Sequence, residues 1–260
     1  MPWHTDRLRI IDLAAALARA AAALGKIARD VTLLAQSEVG EVSEGAPALG
    51  IRSAHGTTAA AAPPPRRGGS SAMPNKHNPV ASIAILGCTK QVPGLLATLV
   101  ASGEQELQRA AGAWHAEWEP LTALLRLTGS ASSWAAELMS GLTVDTSRMA
   151  ANLAATKGLP LAEHLTSLLA GALGGAQAHD LIAEAAERAV GAGLPLGDVL
   201  LTVPKLEERL ASAGITAEQI DAALEPAGYL GGSNALVTAA LDAHHHHGSQ
   251  HHESREPQHE

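Results

Sequence analysis

Aromatic side chains are almost absent from this 260-residue sequence: phenylalanine does not occur, and aromatic residues make up only 2% of the total. A hydrophobic core must therefore be built from Leu, Ile, Val and Ala, because 46% of the residues are hydrophobic. Alanine has the highest helix propensity and lets helix axes approach closely. The composition predicts packed helices and argues against an all-β sandwich.

Cysteine and positive charge are also scarce. The single cysteine, Cys88, excludes an intrachain disulfide framework and a zinc site built from thiolates. We interpret Cys88 as a small core residue of a protein in a reducing compartment. Lys and Arg number 18 against 26 Asp and Glu, and the resulting net charge of −8 disfavours binding to nucleic acid.

Long uncharged apolar runs are missing as well, since none reaches the roughly 18 residues that a membrane span requires. The first ten residues, MPWHTDRLRI, are polar and charged where a signal peptide would be apolar. We therefore expect a cytoplasmic protein that has no membrane partner.

Apolar residues near the start of the chain recur at alternating steps of three and four, which is typical of one face of a long helix. These residues are Ile10, Leu13, Leu17, Ala20, Leu24, Ile27, Val31 and Leu34. The pattern predicts a helix from about Thr5 to Val39, with Thr5 and Asp6 available as caps. Further long helices are predicted at about 80–108, interrupted at Pro93-Gly94, and at about 120–140.

Shorter helices with frequent glycine breaks are predicted after Lys157-Gly158, which indicates a separate C-terminal subdomain. We divide the sequence into a partial helical bundle over 1–157, a helical subdomain over 158–243 and a disordered His-rich tail over 244–260. The histidines of the tail have no fixed geometry in this interpretation, so no metal site is assigned to them.

The helical pattern is lost between residues 45 and 79, where Gly, Ala, Pro and Ser predominate. Three consecutive prolines at 63–65 exclude a regular helix or strand there. We predict a long mobile loop, and a loop of this length inside a folded domain is usually functional or disordered.

The end of this loop, Gly69–Pro79, reads GSSAMPNKHNP and is called here the GSS segment. A serine hydroxyl reacts only when its surroundings activate it. The ammonium of Lys76 would stabilise a deprotonated oxygen on Ser70, and the amides of a Gly-Ser-Ser turn would add to that effect. Lys76 and Asn78 would also hold a carboxylate. From residue types alone, a surface loop whose serines cap the next helix remains an open alternative.

Three further residues could contact a substrate. Arg7 could meet a substrate carboxylate as a bidentate donor, or it could lie in solvent in the first turns of a helix. His115 and Glu117 could line a binding pocket. Alternatively, Trp114 and Trp118, four residues apart, could mark this stretch as packing within the bundle.

The GSS segment resembles the GSSxMPxKxNP segment of the fumarase/aspartase superfamily at every fixed position. Four other stretches are similar to the 3-carboxy-cis,cis-muconate cycloisomerase branch of that superfamily: Trp3–Arg7, Ala23–Gly45, Arg109–Leu121 and Leu224–Gly231. The resemblance runs from about Trp3 to Leu241. It implies an all-α long-helix bundle with a small helical C-terminal subdomain, assembled as a homotetramer whose sites each combine residues of three chains.

The resemblance also implies an activity. The enzymes of this branch are cycloisomerases, which are intramolecular lyases, and they need no metal or organic cofactor. Their reaction closes 3-carboxy-cis,cis-muconate, a tricarboxylate, to 4-carboxymuconolactone in protocatechuate degradation by the β-ketoadipate pathway.

Residue roles follow from the same resemblance. Ser70 would be the proton-transferring residue and would act as the acid in lactonisation. Lys76 and Asn78 would bind carboxylate and stabilise the aci-carboxylate intermediate, because a nearby cation helps that state more than the ground state. Ser71 and Met73 would shape the loop that closes over the substrate.

Two departures from the branch shape the expectation. The sequence begins where the family is already inside its central bundle, so we expect a bundle truncated at its N-terminus. The connection over Pro47–Arg67 is longer than is usual in the family. No segment of the sequence matches the two other regions that complete the superfamily's site, so a homotetramer of this chain would supply only the GSS-segment part of each site. A complementing N-terminal half would supply the rest. The alternatives are a noncatalytic helical fragment or assembly module of a split lyase, and an enzyme like adenylosuccinate lyase.

Overall fold

A computed structural model of the chain describes residues 4–45, 68–69, 73, 77–108, 111–202 and 204–253. The chain divides into two compact units, Met1–Ala150 and Ala151–Glu260, and each has its own hydrophobic core. Both units are built almost entirely of helices, which confirms the predicted all-α class.

Unit 1 is a bundle of long helices with one short antiparallel pair of strands from distant parts of the chain. Its elements in chain order are α1 (Leu8–Leu34), β1 (Val42–Glu44), α2 (Val80–Thr89), α3 (Val92–Ala101), α4 (Ala113–Ala116), α5 (Trp118–Gly141) and β2 (Leu142–Val144), followed by α6 (Thr146–Ala155), which continues into unit 2. Helices α2 and α3 each pack against both α1 and α5, and α1 also packs against α5.

Helix α1 uses only part of its predicted apolar face for this packing. Ala14, Ala21 and Ala28, spaced by seven residues, are fully or almost fully buried. Their small side chains let the neighbouring helices approach closely. Leu13 and Ile27 of the predicted face are instead 43% and 38% exposed. The predicted face is therefore split between a buried side and a partly exposed line of aliphatic residues.

Both ends of α1 differ from the prediction. The helix begins at Leu8, and its N-cap residue is Arg7, whose side chain makes no capping hydrogen bond, rather than Thr5 or Asp6. It ends at Leu34 rather than near Val39. The chain turns there through Gly40, whose φ of +64° is left-handed, and the Arg148 guanidinium donates to the carbonyl oxygens of the turn.

The second predicted helix is divided into α2 and α3. The break lies at Lys90 and Gln91, just ahead of the predicted Pro93-Gly94 interruption, because Pro93 occupies the first turn of α3. A proline there costs no helical hydrogen bond. By length and composition alone, Val80–Ala101 is the one stretch among the described residues that could cross a membrane. In this fold both of its halves pack as bundle helices.

The strand pair joins the chain before the GSS segment to the end of α5. Strands β1 and β2 are antiparallel, with Glu44 opposite Leu142, and β2 directly follows α5. The Gly45 N–H donates to the Gly141 carbonyl oxygen at 2.7 Å. A Cβ on Gly45 would lie only 2.4 Å from that oxygen, so the close approach requires glycine.

Unit 2 is a set of shorter helices around a leucine-rich core. Its elements are α7 (Ala162–Leu173), α8 (Gly175–Ala192), α9 (Leu196–Thr202), α10 (Pro204–Ser212), α11 (Ala217–Ala223) and α12 (Ser233–Glu253), with one-turn 3-10 helices at Leu159–Leu161 and Pro226–Gly228. The sequence predicts disorder from residue 244, whereas α12 continues to Glu253. This helix starts in a stretch rich in Ala and Leu, the residues that best propagate a helix.

Candidate functional site

The predicted catalytic segment is described in part. Gly69, Met73 and His77–Pro79 of the GSS segment are described, whereas Ser70, Ser71 and Lys76 lie outside the described residues. The roles of those three residues therefore stay predictions. The structure describes the two ends of the segment and the elements that contact them.

The two ends of the GSS segment are joined to each other. Gly69 and His77 form an antiparallel bridge, and the Asn78 N–H donates to the Gly68 carbonyl oxygen at 2.8 Å. Gly68 has a left-handed φ of +85°, and a Cβ there would lie 2.2 Å from the Asn78 carbonyl oxygen. Glycine is thus required at this closure. The pairing joins the residues that flank Ser70 and Lys76 in sequence.

Asn78 is the predicted carboxylate-binding residue whose side chain is described. Its Nδ2 donates to the Gly68 carbonyl oxygen at 3.1 Å, so the same oxygen receives both the backbone and the side-chain N–H of Asn78. A carboxamide carries two N–H donors and one acceptor, so this bond fixes the amide plane and engages one of the donors. Met73 is half exposed, and His77 is exposed.

The start of α2, directly after Asn78 and Pro79, is held by a side chain from β1. The Glu44 carboxylate accepts the Ala81 N–H at 2.9 Å through Oε2. Its Oε1 accepts the Ser82 N–H at 2.9 Å and the Ser82 hydroxyl at 2.7 Å. A carboxylate at this position also meets the positive end of the helix dipole. Glu44 therefore caps α2 from a distant part of the chain.

Arg7 forms a buried ion pair with Glu117. Its Nε lies 2.9 and 3.1 Å from the two carboxylate oxygens, and its Nη2 lies 2.5 Å from Oε2. The side chains are only 11% and 3% exposed. The hydrogen bonds to Glu117, joined by its negative charge, raise the pKa of the Arg7 guanidinium above its ordinary value, although burial acts in the opposite direction. The guanidinium thus binds a carboxylate of its own chain.

His115 lies in a cluster of aromatic rings beside this ion pair. Its ring centroid is 4.8 Å from that of Trp118 and 5.8 Å from that of Trp114, and Trp114 in turn contacts His4 at 4.9 Å. His115 is exposed and Trp118 is 52% exposed. These rings lie at the N-terminal end of α5, and the imidazole of His115 is exposed to solvent.

Within one chain, the predicted site residues fall into two separate groups. Asn78 is near the C-terminal end of α5, because Glu44, which holds the start of α2, pairs with Leu142. Arg7 and His115 are at the other end, beside Glu117 and the first residue of α5. Helix α5 has 24 residues, so its ends are about 36 Å apart. One chain cannot bring the two groups to a single substrate.

Sequence reasoning missed Glu44 as a residue that holds the site. It is one of four acidic residues in Ala23–Gly45, and no local pattern links it to a helix that begins 36 positions later at Val80. Sequence reasoning also considered Glu117 only as a lining residue, because Arg7 and Glu117 are separated by 110 positions in the sequence.

Other features of the described residues offer no competing site. None of their His, Cys, Asp and Glu residues form a group of three or more that could hold a metal ion. An open, mostly apolar depression in unit 2 is lined by the end of α6 and the end of α8. Its one ammonium, on Lys157, donates to the Gly193 carbonyl oxygen, where it stabilises the C-terminal end of α8.

Comparison with known proteins gives this geometry a context. A family model described as a lyase matches residues 2–94. The chain is 41% identical over 244 residues to a 3-carboxy-cis,cis-muconate cycloisomerase of Pseudomonas aeruginosa, covering 94% of this chain and 48% of that protein. It is 42% identical over 241 residues to a nitrosuccinate lyase of Streptomyces davaonensis, covering 93% and 46%. The chain spans about half the length of the curated relatives it matches.

The fold is shared with a solved relative. The crystal structure of a 3-carboxy-cis,cis-muconate lactonizing enzyme from Pseudomonas putida matches with a TM-score of 0.75 and 37% identity, over 95% of this chain and 49% of that one. The long-helix bundle and the smaller helical unit described above are therefore features of a known lyase architecture.

Proposed function

Because the chain belongs to the fumarase/aspartase superfamily of lyases, we propose that it supplies the GSS-segment part of a site for 3-carboxy-cis,cis-muconate cycloisomerisation. The product is 4-carboxymuconolactone, which places the reaction in protocatechuate degradation in the cytoplasm. The support is the similarity to a cycloisomerase of that name together with the intact GSSAMPNKHNP sequence.

In the proposed reaction, one substrate carboxylate oxygen adds to a carbon of the conjugated double bond, and the electron pair of that bond moves toward a second carboxylate. The resulting aci-carboxylate carries additional negative charge. Lys76 and Asn78 stabilise it, because a cation and an amide donor bind this state more strongly than the ground state. The Ser70 hydroxyl then gives its proton to the neighbouring carbon, and solvent restores the serine.

The observation that carries the proposal is the closure at the base of the GSS segment. Asn78 is oriented by two hydrogen bonds to one carbonyl oxygen, and the Gly69–His77 bridge joins the residues adjacent to Ser70 and Lys76. This closure of the described ends supports the proposal that Ser70, Lys76 and Asn78 act on one substrate. A site of this kind is effective when its groups are held before the substrate binds.

We further propose that a second copy of the chain takes part in the site. Arg7 and His115 lie about 36 Å from Asn78 along α5, so they contribute only to the site of another copy. Leu13, Ala20 and Ile27 form an exposed line along α1, spaced by seven residues. A line of apolar residues with this spacing is suited to packing against another long helix. Association in the family arrangement, a homotetramer, would use such faces.

A turnover assay with three substrates tests the proposed activity. The purified chain is assayed alone and after mixing with the part of the Pseudomonas aeruginosa relative that it does not cover. We expect 3-carboxy-cis,cis-muconate to be consumed with formation of the lactone in at least one of the two preparations. Nitrosuccinate serves as the competing substrate, because a relative of equal similarity is a nitrosuccinate lyase.

The outcome discriminates among the alternatives. Preferential consumption of nitrosuccinate would assign the chain to the elimination reaction of the other relative. The absence of turnover in both preparations would favour a noncatalytic fragment or assembly module. An adenylosuccinate-lyase-like enzyme would instead consume adenylosuccinate, which is included as a third substrate.

A further inference from the structure

The start of α2 needs a cap that its own sequence does not provide. The residue before the helix is Pro79, which has no side-chain hydrogen-bonding group, and no side chain of the flanking residues caps the first turn. The first N–H groups of a helix have no partner within the helix. Glu44 supplies that partner from β1 through three hydrogen bonds of 2.7 to 2.9 Å to Ala81 and Ser82.

Glu44 itself is held in place on both sides. It pairs with Leu142 of β2, and the next residue, Gly45, donates its N–H to the Gly141 carbonyl oxygen at 2.7 Å. Its partner Ser82 is completely buried, and Val42 of the same strand is 7% exposed. The carboxylate is therefore presented from a fixed backbone to a fixed helix, and a loss of its bonds would not be replaced by water at Ser82.

We propose that Glu44 is a positioning residue for the GSS segment. By fixing the first turn of α2, it fixes the place and direction of Asn78, which precedes that turn by two residues and carries the closure to Gly68. Glu44 acts through α2 and does not touch the substrate. The expected effect of Glu44 on turnover rests on the proposed function. Its expected effect on the position of Asn78 does not depend on any activity.

Hydrogen exchange at three amides tests the structural consequence in the full chain. In Glu44→Ala the Ala81 and Ser82 amides lose their acceptor, and we expect them to exchange about tenfold faster or more. The Asn78 amide, which bonds to Gly68 and not to Glu44, should also exchange faster. Glu44→Gln keeps one acceptor oxygen and should give intermediate rates. Glu38→Gln, an exposed charge change shortly before β1, is the matched control and should change none of the three.

The exchange rate of the Asn78 amide distinguishes positioning of Asn78 from simple capping of α2. Faster exchange at Ala81 and Ser82 with an unchanged rate at Asn78 would mean that Glu44 is only a helix cap, and the proposal would be overturned. Unchanged exchange at all three amides would overturn it as well.

Turnover tests the catalytic consequence in whichever preparation of the substrate assay is active. A displacement of about 1 Å in a positioned group can cost about a hundredfold in rate, so we expect Glu44→Gln to lower kcat about tenfold or more, with a smaller change in KM. Equal kcat for Glu44→Gln and Glu38→Gln would contradict positioning. If the unaltered chain turns over none of the substrates, the proposed function fails, and the exchange rates still decide the role of Glu44.

Discussion

At the scale of single residues, Arg7 and Glu117 form a nearly buried ion pair with three hydrogen bonds. Arg7 is a residue that the sequence suggests for binding a carboxylate, and in the structure it binds the carboxylate of Glu117. Both side chains are nearly buried, so each charge depends on the other for its stabilisation. The pair joins the residue before α1 to the residue before α5 and therefore sets the relative position of the two helices.

Replacing Glu117 with Gln should destabilise unit 1 substantially. The change leaves the buried Arg7 charge without its partner, and breaking a buried pair in this way typically costs about 3 kcal/mol or more. The measurement is the free energy of unfolding from urea titrations followed by circular dichroism. Asp30→Asn breaks the exposed pair with Lys26 and should cost less than about 1 kcal/mol. Equal losses in the two variants would show that burial does not strengthen the Arg7–Glu117 pair.

At the scale of elements, most helices could be predicted from the sequence because their apolar periodicity and glycine breaks are local signals. The predicted range 120–140 lies within α5, and Pro93 marks the divided helix correctly to within a few residues. The apolar periodicity did not predict which side of α1 is buried. Ala14, Ala21 and Ala28 are buried because helices approach closely there, and this depends on the partner helices rather than on the hydrophobicity of α1.

The candidate site could be predicted only where one short segment carries it. The GSS segment is contiguous, so its residue types and spacing are visible in the sequence. Glu44 and Glu117 act over separations of 38 and 110 positions, and no local pattern encodes such contacts. The sequence also places Arg7, His115 and the GSS segment in one list of candidates, whereas the bundle separates them along the length of α5.

The junction of β1 with α5 should tolerate no side chain at Gly45. In Gly45→Ala the new Cβ would meet the Gly141 carbonyl oxygen at 2.4 Å, and a backbone atom cannot rotate away. We expect a destabilisation of about 1 to 3 kcal/mol, as for other overpacked sites. Gly87→Ala in α2 has open space around the new Cβ and should stabilise the helix by about 0.5 to 1 kcal/mol. Thermal unfolding of both variants gives the comparison, and a stabilised Gly45→Ala would contradict the close approach.

At the scale of the whole molecule, the separation of the candidate residues means that the proposed site requires more than one copy of the chain. Unit 1 presents its GSS segment at one end of α5 and the Arg7 and His115 group at the other. Large apolar side chains are exposed along the helices between them, including Ile83, Val100, Leu125 and Met139. Exposed apolar surface of this kind usually marks an interaction site.

The chain should therefore sediment as an oligomer. Leu13→Glu combined with Ile27→Glu places two charges on the exposed line of α1 and should shift the distribution toward the monomer, because burying unpaired charges in an interface is costly. Leu8→Glu is the control, since Leu8 is 64% exposed and lies on another face of α1. Sedimentation velocity distinguishes the species. A monomeric unaltered chain, or equal shifts in both variants, would exclude this face as the contact.

The proposed function depends on proton transfer by the Ser70 hydroxyl in a lyase site that includes the GSS segment. The most direct measurement is the rate of lactone formation from 3-carboxy-cis,cis-muconate by Ser70→Ala in the active preparation, compared with Ser37→Ala, an exposed serine beyond the end of α1. If Ser70 transfers the proton, the Ser70→Ala variant loses nearly all turnover, and its helical circular dichroism is unchanged. The Ser37→Ala variant retains full activity. Normal turnover by Ser70→Ala would contradict this role of Ser70.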